Sequence, residues 1–243
     1  MRPGSYPELD NLPAPPSPRS SPIASEELLF ITVHQVFELW LRHLLLELVD
    51  ARNEMLAGRT YGPRVRLARC GAIERMLHEQ FDVLDSMTTP ELLRFRNAPG
   101  TASRAQSVQF IEVEFLSGLK DPCYAQYRDW LTVADHKVLQ RRFAEPSLWD
   151  GFLAVLREAG FDVSTREHRS AAYRAIARDR EKHGAQRDLL KAMIGHDQSW
   201  WLWRTRHVLA AERHIGTESA TNGSIGVFPP RFYPELWQLR NQL

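Results

Sequence analysis

Ser199 to Gly226 reads SWWLWRTRHVLAAERHIGTESATNGSIG. Apolar residues recur at Trp200, Trp203, Val208, Ala211 and Ile215. That spacing is close to 3.6 residues and predicts an amphipathic helix. Gly216 is placed to end it as a C-terminal cap. The segment after it, Thr217 to Gly226, is rich in Gly, Ser, Thr and Asn. Such a loop bends tightly and offers hydroxyls and bare N–H groups to a ligand. His207 sits on the helix among Arg204, Arg206 and Arg213. A histidine on an aromatic-flanked helix beside a polar loop suits axial ligation of a haem. By itself the pattern is weak, because a lone helical histidine is more often packed or solvated than ligating.

Outward from that helix the same period continues. Ser25 to Leu56 predicts a long first helix, with Phe30, His34, Phe37, Leu41, Leu44 and Leu48 on one face. His34 thus falls within an apolar stripe, where an unpartnered imidazole is costly. It is either a paired core histidine or one that faces a cavity. Glu38 and Arg42 stand at i, i+4 and read as a solvated pair. Further helices are expected at Val65–Met87, from Thr88-Thr89-Pro90-Glu91 to Asn97, and at Ser107–Leu119. Beyond these, Val133–Phe143, Ser147–Ala159, Arg169–His183 and Ala185–Ile194 form the most polar stretch. Gly58 to Pro63 reads as a turn. No alternating strand pattern, internal repeat or Gly-rich phosphate loop is present, so the fold class is all-α, a bundle of roughly eight helices.

Residues 1–22 form a separate arm. Seven of the chain's 15 prolines lie there, and proline keeps its predecessor extended. Tyr6, Leu9 and Leu12 give the arm apolar anchors suited to a neighbouring surface, such as another subunit's in a dimer or tetramer. Residues 23–243 then form one domain. At 243 residues, 43% hydrophobic and 25% charged, the composition is that of a globular protein. A formal net charge of +1 gives no global pull toward nucleic acid or an anionic membrane. Cys70 and Cys123 stand in no metal or redox spacing and suggest a cytoplasmic setting. No apolar run is expected to cross a membrane, and the N-terminus lacks a signal-peptide core. His43, His78, His136, His168, His183 and His196 have polar neighbours in sequence and read as surface residues. His207 and His214 are seven apart, but a closed metal site needs more ligands than the sequence shows.

Three blocks together resemble the tryptophan 2,3-dioxygenase family of haem enzymes. They are LLFITVHQVFELW (Leu28–Trp40), TTPELLRFRNAPGTASRAQSVQF (Thr88–Phe110) and WRTRHVLAAERHIG with ATNGSIG (Trp203–Gly226), followed by FYPELWQLR. The resemblance implies haem b with its iron on His207. It implies that His34 stands over the indole N–H of the substrate and that Phe30 packs on its ring. Arg96 would grip the carboxylate, Ser103 and Thr221 would line the amino-acid end, and Tyr6 would reach a neighbour's site in a homo-oligomer. The residue types suit these tasks: a guanidinium matches a carboxylate two-pronged, and a neutral imidazole accepts from an indole N–H.

The chain also departs from the family pattern. Leu92 stands where an aromatic is usual, Ser103–Ser107 and Ala220–Ser224 have changed composition, and Pro3 replaces a second arm tyrosine. The resemblance therefore implies oxygenation at the indole C2–C3 bond of L-tryptophan or a close derivative, with O₂. Two outcomes stay open: dioxygenation to N-formylkynurenine, or monooxygenation of tryptophan or a methylated tryptophan to a 2-oxindole. A haem-binding sensor without turnover is the rival of another class. It would have no use for Arg96.

Overall fold

The computed structural model describes residues 26–88, 107–120, 131–215 and 230–238. All the regular structure among them is helical. The helices are α1 (Glu27–Leu56), α2 (Tyr61–Asp85), α3 (Val108–Ser117), α4 (Val133–Ala144), α5 (Leu148–Glu158), α6 (Arg166–Arg178), α7 (Arg180–Ile215) and the single turn α8 (Pro234–Trp237). The arm, Ser25, the helix expected at Thr88–Asn97, Gly216 and the loop after it lie outside the described residues.

Several boundaries differ from expectation; the helix expected at Arg169–His183 runs Arg166–Arg178, and the next begins at Arg180. The turn at Gly58–Pro63 is shorter than expected, because α2 already begins at Tyr61. Pro63 falls in its first turn, where a missing N–H costs nothing. The separate helices expected before and after residue 195 are one, running 36 residues with non-helical angles only at His183. Gly195 should weaken a helix by about 1 kcal/mol. Buried hydrogen bonds made by the next two residues, described below, tie this part of the helix to its neighbours.

The core sits where α1, α2 and α7 meet. Leu44, Leu48, Ala51 and Met55 of α1 are buried against Leu67, Ile73, Leu77 and Phe81 of α2. Leu189, Leu190, Met193 and Trp200 of α7 close the same cluster. α5 packs on α1 so closely that a Cβ on Gly151 would lie 3.0 Å from the Met55 Cβ and 3.2 Å from the Arg52 carbonyl oxygen. The polar α4 and the amphipathic α5 are both set by their starts. Thr132 with Asp135, and Ser147 with Asp150, each form a reciprocal capping box, and such a cap contributes about 1 kcal/mol.

By length and composition α1 is apolar enough to cross a membrane, with a window of mean hydropathy 1.2. This amends the expectation that no stretch comes near. Its buried side packs against α2, α3 and α5, while Leu28, Leu39, Leu46 and Leu56 stay exposed.

Candidate functional site

α1 carries Phe30, His34 and Phe37 at i, i+4 and i+7, which puts them on one face. Phe37 is buried, Phe30 half-buried and His34 exposed. The Phe30 and His34 rings are 4.0 Å apart between centroids. The imidazole Nδ1 lies 2.8 Å from the Phe30 carbonyl oxygen. A carbonyl only accepts, so Nδ1 carries the proton and Nε2 is left as an acceptor in the neutral ring. Surrounding atoms lower the His34 pKa despite the opposing pull of the Phe30 carbonyl and Glu38.

His207 arrives from the other side. Along α7, Trp200 stacks on Trp203 at 5.0 Å and Trp203 on His207 at 5.4 Å. Phe81 of α2 lies 5.9 Å from His207 and 5.3 Å from Phe37. Phe37 meets His34 edge-on at 5.8 Å and Trp203 at 6.0 Å. Phe110 of α3 backs Trp200 and Trp203 at 5.5 and 5.6 Å. Four helices thus build one aromatic wall that has His34 at one border and His207 at another. The two imidazoles sense each other. Burial, then His34, then Arg204 push the His207 pKa down to about 4. At neutral pH it is an uncharged base, and among the described residues nothing hydrogen-bonds to it.

Ion pairs turn this face of α7 inward. Arg204 reaches Glu114 of α3 at 3.1 Å, and Arg206 reaches Asp82 of α2 at 2.9 Å. Both arginines flank His207 and are held against other helices. Gln109 of α3 donates to the Glu38 backbone carbonyl at 3.0 Å and to its carboxylate at 2.5 Å. Glu38 is therefore a pin between α1 and α3, one turn from His34, and not the solvated partner of Arg42 that the i, i+4 spacing implied.

The residues fit a haem on His207. An axial ligand must be an unprotonated imidazole, which this one is. The Trp203 indole N–H beside it is buried and has no acceptor among the described residues, as expected of a wall whose facing group is a bound polar molecule. Among the described residues no cluster of three or more His, Cys, Asp or Glu is placed to hold a bare metal ion. Tyr6, Arg96, Ser103 and Thr221 lie outside the described residues. The chain enters the segment containing Arg96 and Ser103 at Thr88, whose N–H donates to Glu26 at 2.9 Å beside the start of α1. It returns at Ser107, whose hydroxyl caps α3.

Two of the histidines read as surface residues are buried. His196 is 1% exposed; its Nδ1 lies 2.6 Å from Glu74 of α2 and its Nε2 2.9 Å from the Ser117 hydroxyl of α3. His183 is buried with its ring 5.0 Å from Phe161. Asp197, beside His196, accepts from the N–H groups of Phe232 and Tyr233 at 3.0 and 3.2 Å and from the Trp237 indole at 2.7 Å. None of these roles shows in local sequence, because every partner lies far along the chain.

Fold and site together define an all-helical protein built around a pair of uncharged histidines on one aromatic wall. A family model described as tryptophan 2,3-dioxygenase matches residues 4–167. The tryptophan 2,3-dioxygenase of a Nocardioides species is 44% identical, over 99% of this chain and 94% of its own length. That of Myxococcus xanthus is 36% identical, over 99% and 89%, and that of Herpetosiphon aurantiacus 32%, over 98% and 97%. The chain belongs to the tryptophan 2,3-dioxygenase family. The family model stops short of His207, which the whole-length relatives cover.

Proposed function

We propose that this chain is a haem-dependent oxygenase that places both atoms of O₂ on the indole C2–C3 bond of L-tryptophan, giving N-formylkynurenine. The observation that carries the reading is the pair of neutral imidazoles, His34 and His207, on one wall of aromatic rings. Haem b, held through its iron by His207, supplies O₂ activation when bound. The chain's own residues bind and orient. The Phe30 carbonyl fixes the His34 tautomer, so Nε2 accepts the indole N–H. Phe30 gives the indole a ring to pack on. The aromatic wall keeps water away, which protects a reactive oxygen species from proton leakage. Arg96 matches the substrate carboxylate, and Ser103 and Thr221 belong to the amino-acid end, as the sequence resemblance implies. The Pro-rich arm with Tyr6 completes the site of a neighbouring subunit in a dimer or tetramer. The enzyme works in the cytoplasm, as its widely separated cysteines suggest.

Turnover of L-tryptophan under ¹⁸O₂, followed by mass analysis, tests the reading. Two labelled atoms in a ring-opened product, with no added reductant, are expected. One labelled atom in an intact 2-oxindole would establish monooxygenation instead. A purified protein with no Soret band after haem reconstitution would remove both readings.

A further inference from the structure

A small cavity lies between α6 and the end of α8, on the polar side of the bundle. Its volume is about 60 Å³, and Arg166, Ser170, Tyr173, Glu235 and Gln238 line it. Arg166, Ser170 and Tyr173 stand at i, i+4 and i+7 of α6 and so share a face. Glu235 is the lone carboxylate among them, and it is occupied: Arg169 grips it at 2.8 and 2.6 Å through two N–H groups. The Ser170 oxygen accepts from Arg174 at 2.7 Å, which leaves its O–H to donate. Gln238 Oε1 accepts from Arg166 at 3.3 Å, which leaves its amide N–H₂ to donate.

Tyr173 is the informative member. The residue is 1% exposed, and among the described residues its buried O–H finds no acceptor. Arg169, which binds Glu235 and the Val163 carbonyl, also acts on the phenol oxygen, but a guanidinium only donates and leaves the phenol O–H without an acceptor. Burial, with Glu235 adding to it, raises the phenol's pKa, so the group stays an O–H donor. A buried donor without an acceptor is rare in folded proteins and calls for one.

We propose that this cavity binds a small oxyanion, independently of the histidine site. Four donor groups converge on it, one of them the Arg166 guanidinium, while its one carboxylate is already neutralised. At roughly 10–15 Å³ per water-sized position, the volume corresponds to about four to six heavy atoms. That matches a small carboxylate or a phosphate and is too small for a nucleotide. The bound anion ties α6 to the 232–237 segment, which Asp197 holds against α7.

The test is thermal unfolding of the full chain at constant ionic strength, with sodium acetate or sodium phosphate replacing sodium chloride. A saturable rise in Tm with one of the two anions is expected, following mass action, and the more effective one distinguishes a carboxylate ligand from a phosphate. Tyr173→Phe removes only a hydroxyl whose O–H has no acceptor among the described residues and should fold as the wild type does. It should bind the anion about tenfold more weakly, the loss of one hydrogen bond to a charged group, and Arg166→Gln should weaken it at least as much. Acetate and phosphate acting no differently from chloride would overturn the proposal. So would an undiminished response in either variant.

Discussion

His196 and His207 stand eleven residues apart on α7, three turns along the same helix, and meet opposite surroundings. His196 is sealed in, with both ring nitrogens hydrogen-bonded, to Ser117 and to Glu74, which joins α3, α7 and α2. His207 is packed between Trp203 and Phe81 and, among the described residues, has no hydrogen-bond partner. The fold uses up the bonding capacity of the first and leaves that of the second available. An imidazole that is desolvated, uncharged and unpaired is costly to keep, and such cost is characteristic of functional positions. The pair teaches that burial alone does not mark a site.

The sharpest way to break the comparison is to remove each ring in turn. His207→Ala should leave the haem-free protein folded and abolish haem retention, the Soret band and activity together. A variant that keeps full haem content would move the ligand elsewhere. His196→Ala should do the reverse, because it strands Glu74 fully buried without its partner. A broken buried pair costs on the order of 3–5 kcal/mol, read as a large fall in the urea midpoint. If His196→Ala melts like the wild type, the network is not structural.

A pH series separates the two further. The His207 pKa is depressed in the folded state, to about 4 from 6.5. Between those values the unfolded chain binds a proton that the folded chain refuses. Haem-free protein should therefore lose stability as pH falls from about 6.5 to 4, by on the order of 2–3 kcal/mol. Glu47 adds to acid lability: burial raises its carboxyl, but Arg69 and Arg66 outweigh that and hold it below its usual value, so its contribution is lost below about pH 4.5. Comparing wild type with His207→Ala isolates the histidine, and equal slopes in the upper part of the window would refute the assignment.

The smallest expected effect belongs to His34. His34→Ala removes one acceptor for the indole N–H, worth about 1–3 kcal/mol, or roughly 5- to 150-fold in kcat/KM. A substrate methylated on the indole nitrogen has no N–H to offer. It should be nearly indifferent to the change, and an equal loss for both substrates would show that His34 does something else.

Much of this was legible in the sequence. The 3.6-residue period of Leu67, Ile73, Leu77, Phe81 and Leu84 marks a buried face, and all five are buried. The helices expected at Val133–Phe143 and Ser147–Ala159 lie within a residue of those found, Val133–Ala144 and Leu148–Glu158. His34 and His207 were singled out by motif, since each lies in a block that resembles a family pattern. His196 was missed because Gly195, Asp197 and Gln198 around it are polar, while its partners are 79 and 122 residues away. Glu38 was misread for the same reason: its i+4 neighbour is in view, and Gln109, 71 residues on, is not.

The sequence by itself therefore determined the helices, the faces they bury and the two histidines, because period, capping and short motifs are local properties of the chain. Tertiary structure decided which polar side chains are satisfied and which are left open. That depends on groups brought together across helices, where desolvation and pairing act at distances of a few ångströms that no window of sequence contains.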